Sequence, residues 1–99
     1  MKIIALEYGL PGATLEKFQQ YACAEAAQAW KLHQKGFIRE LYFRTDRRET
    51  VFILESADPE SARQNLATLP LVEHGLIAFD LIPLVAYPGF ARLFQNLST

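Results

Sequence analysis

The chain has 99 residues, of which 51% are hydrophobic and 21% are charged. This balance predicts one small globular domain, because disordered chains have fewer hydrophobic residues and a higher charge. Its 10 Lys and Arg residues against 11 Asp and Glu give a net charge of −1, which leaves no broad positive field. We therefore expect the protein to bind neither nucleic acid nor an anionic membrane.

Several kinds of site are disfavoured by the residues that the sequence holds. The single cysteine, Cys23, cannot form an internal disulfide, which favours a reducing, cytoplasmic location. The apolar run before Glu7 is too short for the core of a signal peptide. His33 and His74 have no third ligand at metal-binding spacing, and no Gly-rich phosphate loop is present. We therefore predict neither a metal nor a cofactor.

The first half of the chain is predicted to fold as a strand, a helix and a hairpin. Residues 3–8 are rich in β-forming side chains and stop at a turn that contains Gly and Pro. Thr14 can cap a helix whose apolar residues recur at helical spacing until Gly36 ends it. Residues 37–44 and 50–56 alternate apolar and polar side chains around a polar loop, which predicts two antiparallel strands.

The second half is predicted to add a helix, a strand and an apolar tail. Asp58 can cap a helix that has Pro59 at its first position and ends near residue 68, before Pro70. Residues 77–85 alternate as a fourth strand, and Pro83 predicts an edge position or a bend. The order β-α-β-β-α-β indicates an α+β domain in residues 1–87, followed by a tail in residues 88–99.

The alternation along the strands predicts a sheet with two different faces. The face that the helices should cover is almost wholly apolar. Its members are Ile4, Leu6, Tyr8, Leu41, Phe43, Phe52, Leu54, Phe79 and Leu81. The other face mixes large aliphatic groups with ionisable ones. Its members are Ile3, Ala5, Glu7, Ile38, Glu40, Tyr42, Arg44, Val51, Ile53, Glu55, Asp80 and Ile82.

The mixed face is too apolar to be fully exposed to solvent and carries too many charges to be buried in a core without water. We therefore predict that two copies of the chain associate through it. The tail is apolar at Phe90, Leu93, Phe94 and Leu97, and a small domain has little core left to receive it. We expect it to dock on a neighbouring subunit.

Several short motifs between about Glu25 and Gly89 occur in an order known from one family. They are Glu25, Leu32 and Gly36, then Arg39-Glu40-Leu41-Tyr42, then Leu66-Ala67-Thr68-Leu69-Pro70-Leu71, and finally Pro88. On these motifs the chain resembles the muconolactone isomerase family, small enzymes of ferredoxin-like fold. That resemblance implies a four-stranded antiparallel sheet, association of two sheets as a dimeric α+β barrel, and a homodimer or larger homo-oligomer.

The same resemblance implies an activity. The family isomerises a small unsaturated lactone by moving a proton between carbons without a cofactor. Glu25 stands where the family has a glutamate, which implies that it is the catalytic acid–base residue. Ala26 stands where the family has a lysine, and Tyr42-Phe43 where it has Trp-Arg. A solvated glutamate on the flank of the helix is the other interpretation of Glu25.

Further candidate residues would bind the substrate. Arg39, or Arg44 together with Tyr42, would hold a substrate anion, and Glu40 would exchange a proton with it. The alternative is a network of Arg–Glu pairs that joins two subunits and binds no substrate.

Three functions remain open from the sequence. The first is the isomerisation just described, with Glu25 moving the proton. The second is cofactor-free monooxygenation of a quinol-like substrate by the same barrel fold. The third is a non-catalytic, oligomeric ligand-binding module whose partners are a small organic molecule and further copies of itself.

Overall fold

The computed structural model describes residues 1–95. Its elements follow the order β-α-β-β-α-β, with one additional short helix before the last strand and a 3-10 helix after it. They are β1 (Lys2–Gly9), α1 (Leu15–Gln34), β2 (Ile38–Phe43), β3 (Thr50–Glu55), α2 (Pro59–Leu66), α3 (Pro70–Glu73), β4 (Ile77–Leu84) and the 3-10 helix Gly89–Phe94. The predicted α+β fold is confirmed. Among the described residues, no helix is both long enough and apolar enough to cross a membrane.

The four strands form one antiparallel sheet in the order β2-β3-β1-β4. This is the ferredoxin-like order, in which β1 lies between β3 and β4. Strand β4 is an edge strand, as Pro83 predicted, because an edge strand tolerates a residue that cannot donate a backbone hydrogen bond.

Helix α1 begins and ends where its sequence predicts. The hydroxyl of Thr14 accepts a hydrogen bond from the backbone N–H of Lys17, 3.3 Å away. At the other end Gly36 has a φ of +82°, and its N–H donates to the carbonyl of His33. A left-handed residue with these bonds ends a helix and turns the chain toward β2.

Replacing Gly36 with Ala should lower the free energy of unfolding by about 1–2 kcal/mol, because a Cβ is disfavoured in the left-handed region. The site itself has room, since the nearest atom to an added Cβ is 3.8 Å away, on Arg39. Gly9→Ala is the matched control, because Gly9 has neither a positive φ nor a neighbour within 4 Å. Urea titrations at one protein concentration would compare the two variants, and equal losses would contradict this account.

Strand β1 faces the opposite way from our prediction. Ile3 and Ala5 are fully buried in the core against the helices, whereas Ile4 and Leu6 are only half-buried, on the face that no helix covers. The register explains the difference, because Ile3 pairs with Leu54 and paired residues share a face. Since apolar residues occupy both alternating sets of β1, its sequence did not identify the buried set.

Strand β2 contains a second departure from the prediction. Ile38 was expected on the mixed face, but it is fully buried against the helices. The pairing with β3 shifts between Ile38 and Glu40, which leaves Arg39 as an extra residue. Such a bulge reverses the alternation from that point on, so residues before and after it cannot be assigned by one simple period.

We call the face without helices the open face. Its members are Ile4, Leu6, Tyr8, Glu40, Tyr42, Val51, Ile53, Glu55, Ala78, Asp80, Ile82 and Leu84. The large apolar residues among them are half-buried or exposed; Ile82, for example, is 43% exposed. The open face is therefore more apolar than the predicted mixed face, because Glu7 does not belong to it.

The C-terminal segment extends away from the body of the domain. Phe90, Leu93 and Phe94 in the 3-10 helix are 67%, 75% and 86% exposed. The radius of gyration is 17.2 Å, against about 13 Å for a compact chain of this length. Leu97, which we placed in the same apolar segment, lies outside the described residues.

Candidate functional site

Glu25 projects from α1 toward the short helix α3. Its Oε1 accepts a hydrogen bond from the backbone N–H of Leu71 at 2.9 Å, and its side chain is half-buried. The N-cap residue of α3, Leu69, has no side chain that can cap the helix. The carboxylate therefore supplies from another helix the acceptor that α3 lacks, which gives Glu25 a structural role whether or not it is catalytic.

A second glutamate, Glu7, lies on the helix-covered face of the sheet. It is 9% exposed, and its Oε1 accepts from the hydroxyl of Thr50 at 2.9 Å and from the Thr50 backbone N–H at 3.3 Å. Phe79 on β4 is its paired neighbour across the strand. We had placed Glu7 on the mixed face, and this assignment is wrong because β1 has the opposite orientation.

A chain of backbone hydrogen bonds places both glutamates at the same end of the domain. Leu71, which binds Glu25, accepts through its carbonyl from the N–H of Leu76 at 2.9 Å. The carbonyl of Leu76 accepts in turn from the N–H of Leu10 at 3.0 Å, three residues beyond Glu7. The end of β1, the start of β4 and α3 are thus joined beside Glu25.

Burial is the main influence on both carboxyl groups. It raises the pKa of Glu7, partly offset by the hydrogen bonds from Thr50 and increased by the charge of Glu49. It also raises the pKa of Glu25, partly offset by the Leu71 N–H and increased by the charge of Glu7. A raised pKa is what a general acid or base needs to exchange a proton near neutral pH.

These raised pKa values have a consequence for stability. The folded protein holds protons on Glu7 and Glu25 more tightly than the unfolded chain does. The stability contributed by this difference is complete below the unfolded-state pKa. It is lost as the pH rises through the folded-state pKa, because burial makes each ionised carboxylate less favourable in the fold than its protonated form. A desolvated acid retained at such a cost is a functional-site candidate.

Two aromatic side chains precede Glu25 on α1. Tyr21, one turn earlier on α1, stacks on His74 with ring centroids 4.3 Å apart and an angle of 13° between the planes. Phe18 and Tyr21 both pack against the core. Tyr21 precedes Glu25 by four residues and so lies on the same side of α1, where its flat ring would suit a planar substrate.

The four predicted substrate-binding residues are not next to Glu25 in the single chain. Arg39 lies beyond the end of α1, past the turn at Gly36, and its Nε donates to the carbonyl of Gly36 at 2.6 Å. Glu40 and Tyr42 lie on the open face, where the Tyr42 hydroxyl donates to Glu40. Arg44 forms two hydrogen bonds to Asp46 in the hairpin, at 2.8 and 2.6 Å. Their role in binding stays a prediction.

Two shallow depressions on the described surface do not include Glu25. One lies beside edge strand β4, between Tyr8, Arg63 and Leu81. The other lies at the end of α1, between Lys35, Arg39 and Asn65. Within residues 1–95, no three His, Cys, Asp or Glu side chains are grouped to hold a metal ion.

No family model and no curated protein matches this sequence. Among solved structures, muconolactone isomerase superposes with a TM-score of 0.72 over 89% of this chain and 92% of the enzyme, at 20% identity. The chain has the fold of muconolactone isomerase. A second similar structure is 5-chloro-2-hydroxyhydroquinone dehydrochlorinase from Burkholderia phenoliruptrix, in complex with 2,5-dihydroxybenzoquinone. Its TM-score is 0.66 over 90% of this chain and 98% of that one, at 17% identity.

The comparison with muconolactone isomerase confirms the resemblance at the level of the fold. It covers nearly the whole chain, whereas the motifs that indicated the family begin only at Glu25. Both similar structures are of enzymes, and at 20% and 17% identity what the chain shares with them is the fold.

Proposed function

We propose that the protein catalyses cofactor-independent proton transfer between two carbons of a small unsaturated lactone, as muconolactone isomerase does. The observation that carries this proposal is the half-buried Glu25 carboxyl group, whose pKa is raised by burial, in a chain of that enzyme's fold. A proton next to a conjugated carbonyl is acidic enough for a carboxylate base of raised pKa to remove it.

This proton transfer requires only a positioned base and a site from which water is excluded. Glu25 would take the proton as a carboxylate and return it to another carbon of the same conjugated system, so no electrons or atoms are gained or lost. The Oε1 bond to the Leu71 N–H would hold the carboxyl group in place during the transfer. Tyr21 and His74 would exclude water from one side of the substrate.

The open face favours association with a second copy of the chain. Its aliphatic centre at Ile4, Ile53 and Ile82 is flanked by Glu40 and Tyr42, so a second sheet would bury the apolar area and leave a polar rim. The result would be a dimeric α+β barrel. Arg39, Glu40, Tyr42 and Arg44 would then contact the substrate of the same or the partner chain.

The exposed apolar side chains of the 3-10 helix fit the same assembly. Most of the surface of Phe90, Leu93 and Phe94 is exposed to solvent in the described part of the chain. Residues 88–99 would therefore dock on a neighbouring subunit, which would bury these side chains. The lone cysteine, Cys23, supports a cytoplasmic location for this oligomer.

The activity is tested by incubating the purified protein with unsaturated five-membered lactones in deuterium oxide. We expect one double-bond isomer to convert to the other, with proton exchange at the carbons involved, as seen by NMR. A protein that neither converts any lactone nor exchanges its protons would overturn the proposed activity.

A quinol-like substrate is the second candidate, because the dehydrochlorinase of similar fold was solved with 2,5-dihydroxybenzoquinone. The cofactor-free monooxygenase would consume oxygen with such a substrate, whereas the isomerase would not. A ligand-binding module without activity would bind both compounds and change neither.

A further inference from the structure

We propose that Gln28 and Thr68 are positioning residues for Glu25, because their contact fixes α3 along α1 and so holds the Leu71 N–H on the Glu25 carboxyl group. The inference rests on the proposed function, in which Glu25 moves the proton. Thr68 belongs to a motif that indicated the family, but the sequence gives it no role. Its contact with Gln28 joins residues 40 positions apart and is visible only in the folded chain.

Three contacts join α1 to the segment that contains α3, and they run in antiparallel order. They are the Gln28 Nε2 hydrogen bond to the Thr68 hydroxyl at 2.9 Å, the Leu71 N–H bond to Glu25 at 2.9 Å, and the stack of Tyr21 on His74 at 4.3 Å between ring centroids. Residues 21, 25 and 28 are spaced by four and three, so they lie on one side of α1. The Glu25 bond is therefore the middle contact, with another about one helical turn away on each side.

The Thr68 hydroxyl connects the turn between α2 and α3 to α1. It accepts from Gln28 and donates to the carbonyl of Asn65, in the last turn of α2, at 2.6 Å. The backbone N–H of Thr68 donates to the same carbonyl at 3.2 Å. Because the hydroxyl is bonded both as donor and as acceptor, its orientation is fixed. Gln28 thus holds the point from which the chain enters α3.

Helix α3 depends on such contacts for its position. It has only four residues, and its N-cap residue, Leu69, makes no side-chain hydrogen bond. A helix this short is not stable by its own backbone bonds. Burial of Leu69 and Leu71 attaches α3 to the core, but apolar burial is not directional. The directional bond between Gln28 and Thr68 therefore determines where α3 lies along α1.

The position of α3 also affects the proton affinity of Glu25. Burial raises the pKa of Glu25, and the Leu71 N–H bond opposes that rise. The titratable groups that surround this carboxyl group are Tyr21 on its own helix, His74 after α3, and Glu7 on β1, whose charge also raises the pKa. A shift of α3 that weakens the Leu71 bond would leave burial less opposed. The pKa of Glu25 would then rise further.

Carbon-detected NMR of the Glu25 carboxyl group tests this link without any substrate. Thr68→Val removes the hydroxyl and keeps the shape of the side chain. We expect the titration midpoint of Glu25 to rise by about half a pH unit or more, because the weakened bond favours the ionised form less. Thr68→Ser keeps the hydroxyl and should retain the wild-type midpoint. Gln28→Leu removes the partner on α1 and should act like Thr68→Val.

Two further observations separate a positioning role from a general loss of stability. Gly36→Ala destabilises the far end of α1 and should leave the Glu25 midpoint unchanged. Thr68 is exposed, so Thr68→Val opens no cavity in the core, and amide exchange at Leu71 should become faster in the folded variant. A Glu25 midpoint and a Leu71 exchange rate that both match wild type in Thr68→Val and Gln28→Leu would overturn the inference.

An activity measurement distinguishes this inference from the proposed function. A general base must be ionised, so the acid limb of the kcat profile should move to higher pH in Thr68→Val together with the Glu25 midpoint, and return in Thr68→Ser. Wild-type turnover with an unmoved limb in Thr68→Val overturns the positioning role and leaves the isomerase standing. A shifted Glu25 midpoint in a protein that turns over no lactone overturns the isomerase and supports the contact.

Discussion

Replacing Glu25 with Gln should reduce kcat for the lactone by about 10²–10⁴-fold, which is the usual contribution of a general acid–base residue. The amide is nearly the same shape as the carboxyl group and can still accept the hydrogen bond from the Leu71 N–H. It cannot take up a proton, so the variant removes the chemistry and keeps the link between α1 and α3. Steady-state kinetics with circular dichroism as a check on folding would measure this.

The structural role of Glu25 calls for two comparisons. Glu25→Ala also removes the acceptor that α3 uses in place of an N-cap, so we expect an additional loss of stability of about 0.5–2 kcal/mol. Glu16→Gln, on the same helix and exposed, should keep full activity. Full turnover in Glu25→Gln would restrict Glu25 to capping α3 and remove it from the mechanism.

Placing a charge at the centre of the open face should convert the protein to single chains. Ile53 lies between Ile4 on β1 and Glu40 on β2, and it is half-buried in the isolated chain. In Ile53→Lys the ammonium group can pair with Glu40 while the face is exposed to water. Between two sheets it would have to be desolvated, at a cost of several kcal/mol. Light scattering should then report the single-chain mass of 11.2 kDa.

The control for this experiment is a similar change on another surface. Leu15 is 72% exposed at the start of α1 and does not belong to the sheet, so Leu15→Lys should leave the mass of the assembly unchanged. Wild-type protein that already has the mass of one chain at micromolar concentration would refute association through the open face. It would also remove the proposed contribution of Glu40 and Tyr42 to a shared pocket.

Local signals in the sequence determined most of the secondary structure. The caps at Thr14 and Asp58 and the left-handed turn at Gly36 act within a few residues, so the helices they delimit could be predicted closely. The short helix α3 was not predicted. Pro70 was interpreted only as a break after α2, although proline is equally suited to the first position of a new helix.

The resemblance of the later motifs to one family also predicted the fold, and it indicated Glu25 as the candidate acid–base residue. The sequence around a glutamate in the middle of a helix does not show whether its side chain caps another helix, takes part in catalysis or is solvated. Its contact with Leu71 joins residues 46 positions apart in the chain. Only the packing of α1 against α3 could bring that contact about.

The sequence by itself thus determined the order of the four strands and the two longer helices, and the presence of apolar residues on both sheet faces. The tertiary structure decided which residues of β1 are buried, because apolar side chains occupy both of its alternating sets and only pairing with β3 chooses between them. That choice turned Glu7 away from the open face and into the face that the helices cover, where it bonds to Thr50. The bulge at Arg39 decided the position of Ile38 in the same way. Such outcomes depend on contacts between distant segments, which no local pattern records.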